Sequence, residues 1–255
     1  MQAIIIGAGR GSRLMPTTAD SPKCFAEVSG QRILDWSVQA FRENGIDNIT
    51  FIGGYRIDCV REDYPDFAFR HNADWENNNI LESLLHAEDL MDEPFLCCYS
   101  DILFTAKIVS DVLQRDADIA LGVDTGWLTR FEQRTEHSSD DAEKVTVENG
   151  QVTRVHREIL EHDAHGEYIG LAKFSAAGAA SLRRHYQDRR STFSGKPYRE
   201  AKVFEKAYLI HLLQDMIESG HPMAHADTPG GYIEIDTQQD FDYAQEHWTS
   251  RHLDR

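Results

Sequence analysis

The first half of the chain alternates short apolar segments with amphipathic helical segments. AIIIGA is typical of a buried strand, and RILDWSVQAFRENG places most of its apolar side chains on one helical face before Gly45. Strand-like NITFIGGY, PFLCCYSD and DIALGVD follow, separated by helical ILESLLHAEDLM and AKIVSDVLQR. This order predicts an α/β fold with a doubly wound, mostly parallel, Rossmann-like sheet. Ligands bind such sheets at the carboxyl ends of the strands, where we expect the glycine-rich segment, Tyr55, Asp101 and Asp124.

From Glu143 onward the pattern changes. KVTVENGQVTRVH has strand-like segments on either side of Asn149-Gly150, a dipeptide typical of a tight hairpin turn. We expect a strand in GEYIGLAKFS, a helix over 176–190, a helix from about Lys202 to Ser219, and a last strand and helix in GGYIEIDTQQDFDYAQEHW. No low-complexity linker or internal repeat separates the halves. A single domain over 1–255 is therefore predicted, with a small β-hairpin and helical part in its second half.

The composition argues against several classes of protein. With 43 acidic and 26 basic residues the formal net charge is −17, so binding to nucleic acid through bulk electrostatics is not expected. No apolar run approaches the roughly 18 residues of a membrane span, and the amino terminus does not resemble a secretion signal. Cys24, Cys59, Cys97 and Cys98 lack CxxC spacing, and we expect reduced core residues of a cytoplasmic protein.

Histidine-rich HREILEHDAH raises the question of a zinc site. It contains His156, His162 and His165, but it lacks the HExxH arrangement that places two imidazoles on one helical face. A solvated loop is the better interpretation of this segment.

The segment IIIGAGRGSRLMP allows three interpretations. A dinucleotide fingerprint requires G-x-G-x-x-G and an acid after the second strand, whereas Gly11 comes one residue early and that strand ends in Gly53-Gly54-Tyr55. A P-loop requires G-K-[ST], which is absent. A glycine turn without a ligand remains open.

Two basic residues favour an anion site. Glycines let backbone N–H groups approach phosphate, and Arg13 at the end of the loop would neutralise charge there. Lys23 follows Pro22, which holds the backbone extended, so its amine would return to the same strand edge.

GAGRGSRLMP followed by SPK resembles the G-x-G-x-R-x-x-P…P-K signature of the sugar-phosphate and choline-phosphate nucleotidyltransferases. The resemblance extends to about residue 245. NNNILESL, YSDILF, DAEKV and GEYIGLAKFS are most similar to the cytidylyltransferases that activate phosphocholine or phosphonates, and DTGWLTRFEQRTEHSSDDAEKV favours the 2-aminoethylphosphonate branch. The resemblance implies the nucleotide-diphospho-sugar transferase fold. It also implies that 1–125 bind mainly the nucleotide and 126–235 mainly the acceptor.

Asp101 and Asp236 each end a strand-like run. Each would cap a helix or, together beside a triphosphate, hold a divalent cation. The resemblance implies that they bind Mg²⁺, with Glu234 on the same strand face behind them. It further implies that Arg13 and Lys23 are catalytic. The predicted nucleotide-binding residues are Gly7, Ala8, Gly9, Gly11, Ser12, Gly54, Tyr55, Asn79 and Ser83.

The acceptor side is sought in the second half. A cationic amine or trimethylammonium group is held well by an aromatic face and a carboxylate. The predicted acceptor-binding residues are Asp124, Trp127, Lys144, Glu167 and Tyr168, with Arg130 and Arg134 as weaker candidates. Trp127 would equally suit a packing role. Lys196, Arg199 and Lys202 would close over the site or belong to a subunit contact, and a homodimer remains open.

The expected reaction is attack by a phosphonate or phosphate oxygen on the α-phosphorus of CTP, with loss of pyrophosphate. That oxygen is already anionic at neutral pH, so positioning and charge neutralisation replace a general base. The alternatives are a phosphocholine cytidylyltransferase, a sugar-1-phosphate nucleotidyltransferase, an NAD-type oxidoreductase and a non-catalytic nucleotide-binding module.

Overall fold

The computed structural model describes residues 1–132, 134–136 and 138–248. The helices are α1 (Ile33–Glu43), α2 (Ile57–Asp63), α3 (Ile80–Leu85), α4 (Ala106–Leu113), α5 (Trp127–Phe131), α6 (Ala176–Phe193), α7 (Leu209–Glu218) and α8 (Gln238–His247). The strands are β1 (Gln2–Gly7), β2 (Glu27–Val28), β3 (Gln31–Arg32), β4 (Ile49–Gly53), β5 (Ala68–His71), β6 (Phe95–Tyr99), β7 (Ile102–Phe104), β8 (Ile119–Asp124), β9 (Lys144–Glu148), β10 (Gln151–Val155), β11 (Gly166–Phe174), β12 (Ala224–Thr228) and β13 (Tyr232–Glu234). Residues 133, 137 and 249–255 of the predicted domain lie outside the described part.

Nine strands form the main sheet in the order β5-β4-β1-β6-β11-β8-β12-β10-β9. The pairs β5–β4, β4–β1, β1–β6 and β8–β12 are parallel, while β11 and β10 run antiparallel to their neighbours. The expected mostly parallel sheet is confirmed. Strand β9 also pairs with β11, so the last five strands of the order close into a ring.

Helices cover both faces of the parallel part of the sheet. Because side chains alternate along a strand, Ile4 and Ile6 of β1 join a core with residues of α3, α6 and α7. Ala3 and Ile5 join a second core with residues of α1 and α4. Strands buried on both faces read as continuous apolar runs, which explains the sequence AIII. Within the described residues no helix is both long enough and apolar enough to cross a bilayer.

A two-stranded sheet outside the main one brings residues 232–248 next to the glycine-rich segment. Strand β13 pairs antiparallel with β7, with Glu234 opposite Ile102. Helix α8 follows, and Trp248 after it meets Trp36 of α1 edge to face, with ring centroids 5.9 Å apart. This packing joins the late acidic segment to the first helix.

Most predicted elements are present, with shifted ends. The Asn149-Gly150 turn is confirmed, with φ of 50° and 76° as a type I′ hairpin requires. The helix expected from Lys202 begins only at Leu209, because Ala207 and Tyr208 have extended backbone after a short 3₁₀ turn. Helix α6 continues to Phe193, beyond the expected 190.

Two expectations about side-chain environments need correction. Cys59 is only half-buried, whereas the other three cysteines are buried, and none of the four is in a disulfide in the described part of the chain. The histidine-rich segment is not solvated throughout: His156 is buried, and its Nε2 lies 2.7 Å from Glu200 Oε1.

Candidate active site

A cavity of about 500 Å³ lies at the carboxyl ends of β1 and β6. Residues from both halves of the chain line it, because β11 lies beside β6 in the main sheet and β13 pairs with β7 just beyond β6. The predicted site residues that line it are Gly7, Ala8, Gly9, Gly11, Ser12, Arg13, Lys23, Asn79, Ser83, Asp101, Glu167, Tyr168 and Asp236.

The glycine loop turns sharply at Gly11, whose φ of +67° lies in the left-handed region. A Cβ there would also come within 2.8 Å of the Lys23 side chain. The turn then continues into a 3₁₀ segment, Ser12–Leu14, whose Leu14 N–H donates to the Gly11 carbonyl oxygen. Gly11 therefore allows both the turn and the close approach of Lys23 to the loop.

Lys23 lies between two carboxylates. Its Nζ donates to Asp101 Oδ2 at 2.7 Å and to Asp236 Oδ1, and the residue is 8% exposed. Burial alone would lower the pKa of Lys23, but the charges and hydrogen bonds of Asp101 and Asp236 raise it well above its ordinary value. Lys23 is thus a fixed cation in the cavity wall.

Arg13 lies at the exposed rim of the same group. Its Nη2 donates to Asp236 Oδ2 at 2.8 Å, and its Nη1 lies 3.9 Å from Asp141 Oδ2. The Arg13 side chain is 58% exposed, so its guanidinium is accessible to an anion in the cavity.

The β7–β13 pairing brings Asp101 and Asp236 together, and the Ile235 N–H donates to the Asp101 carbonyl oxygen at 2.9 Å. Neither carboxylate is the helix cap that the sequence allowed. The N-cap residue of α4 is Thr105 and that of α8 is Thr237. Both residues line the cavity, where Lys23 contacts both carboxylates and Arg13 contacts that of Asp236.

Another wall is built on a network of amides. Asn72 Nδ2 donates to Asn78 Oδ1 at 2.8 Å and to Ser83 Oγ at 2.9 Å. Asn79 caps α3 by accepting the Ile80 N–H. The fully buried Asn72 was missed, because its own segment carries no motif.

Gly54 and Tyr55 lie behind the cavity wall. The Tyr55 N–H donates to the Ala8 carbonyl oxygen, and its ring meets Trp75 edge to face at 5.8 Å. A Cβ on Gly54 would come within 2.7 Å of both Ala8 O and Trp75. Trp75 itself lines the cavity, so the predicted pair supports a wall residue that the sequence analysis did not identify.

Three predicted acceptor residues, Asp124, Trp127 and Lys144, do not line the cavity. Asp124 ends β8 as expected, but it is fully buried and pairs with Arg130. Trp127 packs in a small core. Lys144 Nζ donates to the Ser139 carbonyl oxygen and lies 5.7 Å from the Trp127 ring centroid. These three residues stabilise α5 and the start of β9, and they are not exposed to the cavity.

The part of the cavity lined mainly by the second half of the chain contains a carboxylate–arginine pair, in which Glu143 is buried and Arg157 is half-buried. Glu143 Oε1 accepts from Arg157 Nη2 at 3.3 Å, and its Oε2 accepts from Tyr99 Oη at 3.2 Å. The Arg157 guanidinium lies 4.1 Å from the Tyr208 ring centroid. Tyr168 Oη and Arg157 Nε have no hydrogen-bond partner among the described residues.

Acidic side chains, namely Glu143, Glu167 and Glu234, dominate this part of the cavity. Burial raises the pKa values of Glu143, Glu167 and Glu234, with partial compensation from nearby arginines. Arg130 lies 3.6 Å from Glu167, and Arg134 lies 3.6 Å from Glu234. Glu143 belongs to DAEKV, one of the segments that resemble the cytidylyltransferases, but it was not among the predicted site residues. Arg157 lies in no such segment, so the sequence did not indicate it.

Comparisons with known proteins agree with this architecture. The sequence matches the model of the MobA-like NTP transferase domain over residues 3–194. CTP:phosphoglutamine cytidylyltransferase of Campylobacter jejuni is 28% identical over 95% of this chain and 98% of that protein. 2-Aminoethylphosphonate cytidylyltransferase of Lancefieldella rimae is 28% identical over 37% of this chain and 41% of that protein.

A solved structure has the same fold. The inositol-1-phosphate CTP transferase from T. maritima superposes with a TM-score of 0.73 at 20% identity, covering 96% of this chain and 95% of that one. The expected nucleotide-diphospho-sugar transferase fold is confirmed, and an NAD-type oxidoreductase does not fit these findings. Because the family model covers most of the chain, including the glycine loop, Lys23 and Asp101, the protein belongs to the MobA-like NTP transferase family of nucleotidyltransferases.

Proposed function

We propose that the protein transfers CMP from CTP to a small phosphonate or phosphate acceptor and releases pyrophosphate. The observation that carries the proposal is the Lys23 amine held between Asp101 and Asp236 beside the glycine loop. An anion-binding loop, a fixed cation and paired carboxylates are what transfer between phosphorylated substrates requires. Cytidylyltransferases among the relatives support CTP as the donor.

The proposed transfer step joins two anionic substrates. An acceptor oxygen, already anionic at neutral pH, forms a bond to the α-phosphorus while the bond to the pyrophosphate oxygen breaks. No proton need be removed, which agrees with a cavity edge built from Lys23, Arg13 and glycines rather than from a Ser–His pair. Lys23 and Arg13 would bind phosphate oxygens and offset the repulsion between the two anionic substrates.

Asp101 and Asp236 suit a hard divalent cation. They present carboxylate oxygens to the cavity, and a single ammonium group already reaches both, so one small cation can do so too. We propose that they hold Mg²⁺. When bound, the ion would neutralise negative charge on the nucleotide phosphates.

We propose 2-aminoethylphosphonate or a related amine-bearing phosphonate as the acceptor. The carboxylates of Glu143, Glu167 and Glu234 line the cavity and would attract an ammonium group. The rings of Tyr99 and Tyr208 line it too and would contact the same cation. This role falls to these residues rather than to Trp127, which is buried behind the wall.

The position of Arg157 favours a second class of acceptor, one that carries a carboxylate. Arg157 lies in the cavity wall with its Nε free of partners in the described part of the chain. An acceptor that carries a carboxylate as well as an amine would bind it. The relative that aligns over nearly its whole length is named for phosphoglutamine, which is such a molecule.

The test is a matrix of pyrophosphate-release assays with the purified protein and Mg²⁺. CTP, UTP, ATP and GTP are each paired with 2-aminoethylphosphonate, phosphocholine, phosphoethanolamine, phosphoglutamine and glucose 1-phosphate. We expect the highest kcat/KM with CTP and an amine-bearing acceptor. A highest value with glucose 1-phosphate would replace the proposal with a sugar-phosphate activity, and CTP binding without turnover of any acceptor would refute catalysis of this kind.

Arg157→Met separates the two acceptor classes. If phosphoglutamine is the substrate, its KM rises while that for 2-aminoethylphosphonate changes little, because only the former offers a carboxylate to Arg157. Arg154→Met is the matched control, since Arg154 lies on the neighbouring β10 and does not line the cavity.

A further inference from the structure

Three side chains of types that ligate metal ions lie close together away from the active-site cavity: His165, His225 and Asp227. Each offers one ligand atom, and these atoms all lie within 4.8 Å of one another. His165 Nε2 lies 3.0 Å from Asp227 Oδ2, and His225 Nδ1 lies 2.7 Å from Asp227 Oδ1. The imidazole centroids are 5.1 Å apart at an interplanar angle of 72°. None of the three residues lines the cavity described above.

The backbone fixes the three positions. His225 and Asp227 are two residues apart on β12, so both side chains leave the same face of that strand. β12 is hydrogen-bonded to β8, with His225 opposite Leu121 and Asp227 opposite Val123. His165 directly precedes β11, and its N–H donates to the Val145 carbonyl oxygen at 2.8 Å. Strand β12 and the residue next to the start of β11 therefore hold the cluster.

We propose that His165, His225 and Asp227 form a site for a divalent transition-metal ion, with Zn²⁺ as the representative. Metal–ligand lengths of about 2.0–2.1 Å place the ligand atoms of a tetrahedral zinc site roughly 3.3 Å apart. His225 Nδ1 and His165 Nε2 lie 2.7 and 3.1 Å from the same carboxylate oxygen, Asp227 Oδ1, which is close to that separation. Small side-chain rotations complete the geometry, and water fills the remaining position.

The donor set distinguishes this site from the carboxylates of the active site. Imidazole nitrogens favour Zn²⁺, Ni²⁺ and Co²⁺, whereas an all-oxygen pair such as Asp101 and Asp236 favours Mg²⁺. The Asp227 carboxylate now faces both rings, and the ion would replace the hydrogen bonds between them. His165 and Asp227 are exposed, so an ion can enter from solvent.

The site would tie β12 to the start of β11. Glu167 and Tyr168, which line the active-site cavity, follow His165 by two and three residues. The ion therefore serves as a structural cross-link next to the start of β11, whose Glu167 and Tyr168 line the cavity. The histidine-rich segment raised the question of zinc with His165, but the other two ligands, His225 and Asp227, lie 60 and 62 residues later, and no local motif joins them to it.

The test titrates the metal-free, full-length protein with Zn²⁺ by calorimetry and with Co²⁺ by visible absorption. We expect one equivalent bound, an absorption band of nitrogen-ligated Co²⁺, and a rise in Tm with Zn²⁺. Loss of a partner that merely orients a ligand costs about 10–100-fold in metal affinity, so His225→Asn or His165→Asn should weaken Zn²⁺ binding by at least about 100-fold.

Two matched controls accompany these variants. His162→Asn removes an exposed histidine of the same segment and should bind Zn²⁺ as the wild type does. The double variant Asp101→Asn, Asp236→Asn removes the active-site carboxylates and should also keep the nitrogen-ligated band. Melting curves without metal establish that each variant is folded. Equal Zn²⁺ affinity in the wild type, His165→Asn and His225→Asn, or no stoichiometric binding by the wild type, overturns the proposal.

Discussion

The Lys23 side chain joins parts of the molecule that are far apart in sequence, since its two carboxylate partners are 78 and 213 residues away. Replacing it with Met keeps the length of the side chain and removes the charge. We expect Lys23→Met to lower kcat for pyrophosphate release by about 10²–10³-fold, the usual cost of removing a group that stabilises developing charge.

Lys107→Met is the control for this variant. Lys107 is also paired with an aspartate, Asp111, but on the exposed face of α4. Its loss should leave kcat unchanged. Wild-type turnover by a folded Lys23→Met protein would remove Lys23 from the proposed chemistry.

Gly11 offers a second prediction at the scale of one residue. Gly11→Ala would place a Cβ 2.8 Å from the Lys23 side chain and at a φ of +67°, so we expect both lower stability and lower activity. Gly45→Ala is the matched control, because Gly45 has a φ of +73° but open space where the added methyl group would lie. Its effect should be limited to stability, measured by urea unfolding. Equal activity losses in both variants would contradict the contact argument.

At the scale of an element, the start of α8 fixes Asp236. Asp240 Oδ2 accepts hydrogen bonds from the Asp236 and Thr237 N–H groups at 3.0 and 2.8 Å, and its Oδ1 accepts from Arg134. We expect Asp240→Asn to lower kcat several-fold without a comparable rise in the KM for CTP, because it loosens Asp236 without touching substrate. Asp242→Asn, on the exposed side of the same helix, should have wild-type kinetics. A rise in KM alone would place Asp240 in substrate binding instead.

The elements of the fold differ in whether the sequence alone predicts them. Local patterns predicted β1, α1 and the Asn149-Gly150 hairpin, since apolar periodicity and turn residues act over a few positions. The β7–β13 pairing joins residues more than 120 apart, and no local pattern encodes it. Asp101 and Asp236 were nevertheless both expected at one strand edge, because each ends a strand-like run, and the structure brings both to the cavity. Their common role as metal ligands stays a prediction.

Two predicted acceptor residues, Asp124 and Trp127, do not line the cavity. Asp124 and Trp127 follow a strand end as the site residues do, but burial depends on what packs over them. Arg157 and Asn72 lack a motif, and only the folded chain brings them to the cavity. Strand-end position predicts proximity to the site, whereas exposure to the ligand is a tertiary property.

At the scale of the whole molecule, stability should depend on a buried histidine. His211 packs against Tyr208, and its Nε2 lies 3.3 Å from Glu200 Oε2. The other oxygen of this carboxylate, Glu200 Oε1, lies 2.7 Å from His156 Nε2. Burial lowers the pKa of His211 to about 4, and nearby Arg157 adds to this against the opposing charge of Glu200. The folded protein thus keeps His211 neutral, whereas the unfolded chain takes up a proton near the ordinary pKa of about 6.5.

The sign of the effect follows from proton linkage. Between pH 6.5 and pH 4 the unfolded state binds the extra proton, so the free energy of unfolding decreases as the pH falls through this window. We expect His211→Gln to reduce the difference in urea-unfolding free energy between pH 7.5 and pH 5. His71→Gln, at an exposed histidine of β5, should retain the wild-type difference. An unchanged difference in His211→Gln would assign the acid sensitivity to other groups.

The closure of β9 onto β11 has a consequence for assembly. The ring is not paired evenly, because β9 meets β11 at Gly166 and Glu167, whereas β10 meets β12 only at the Gln151–Ala224 pair. In the described part of the chain, β9 nevertheless has a partner strand on each side, β10 and β11, although it comes last in the strand order. The closure therefore removes β9 as a terminal strand to which another chain could add, while β5, at the other end of the order, is hydrogen-bonded to β4 alone.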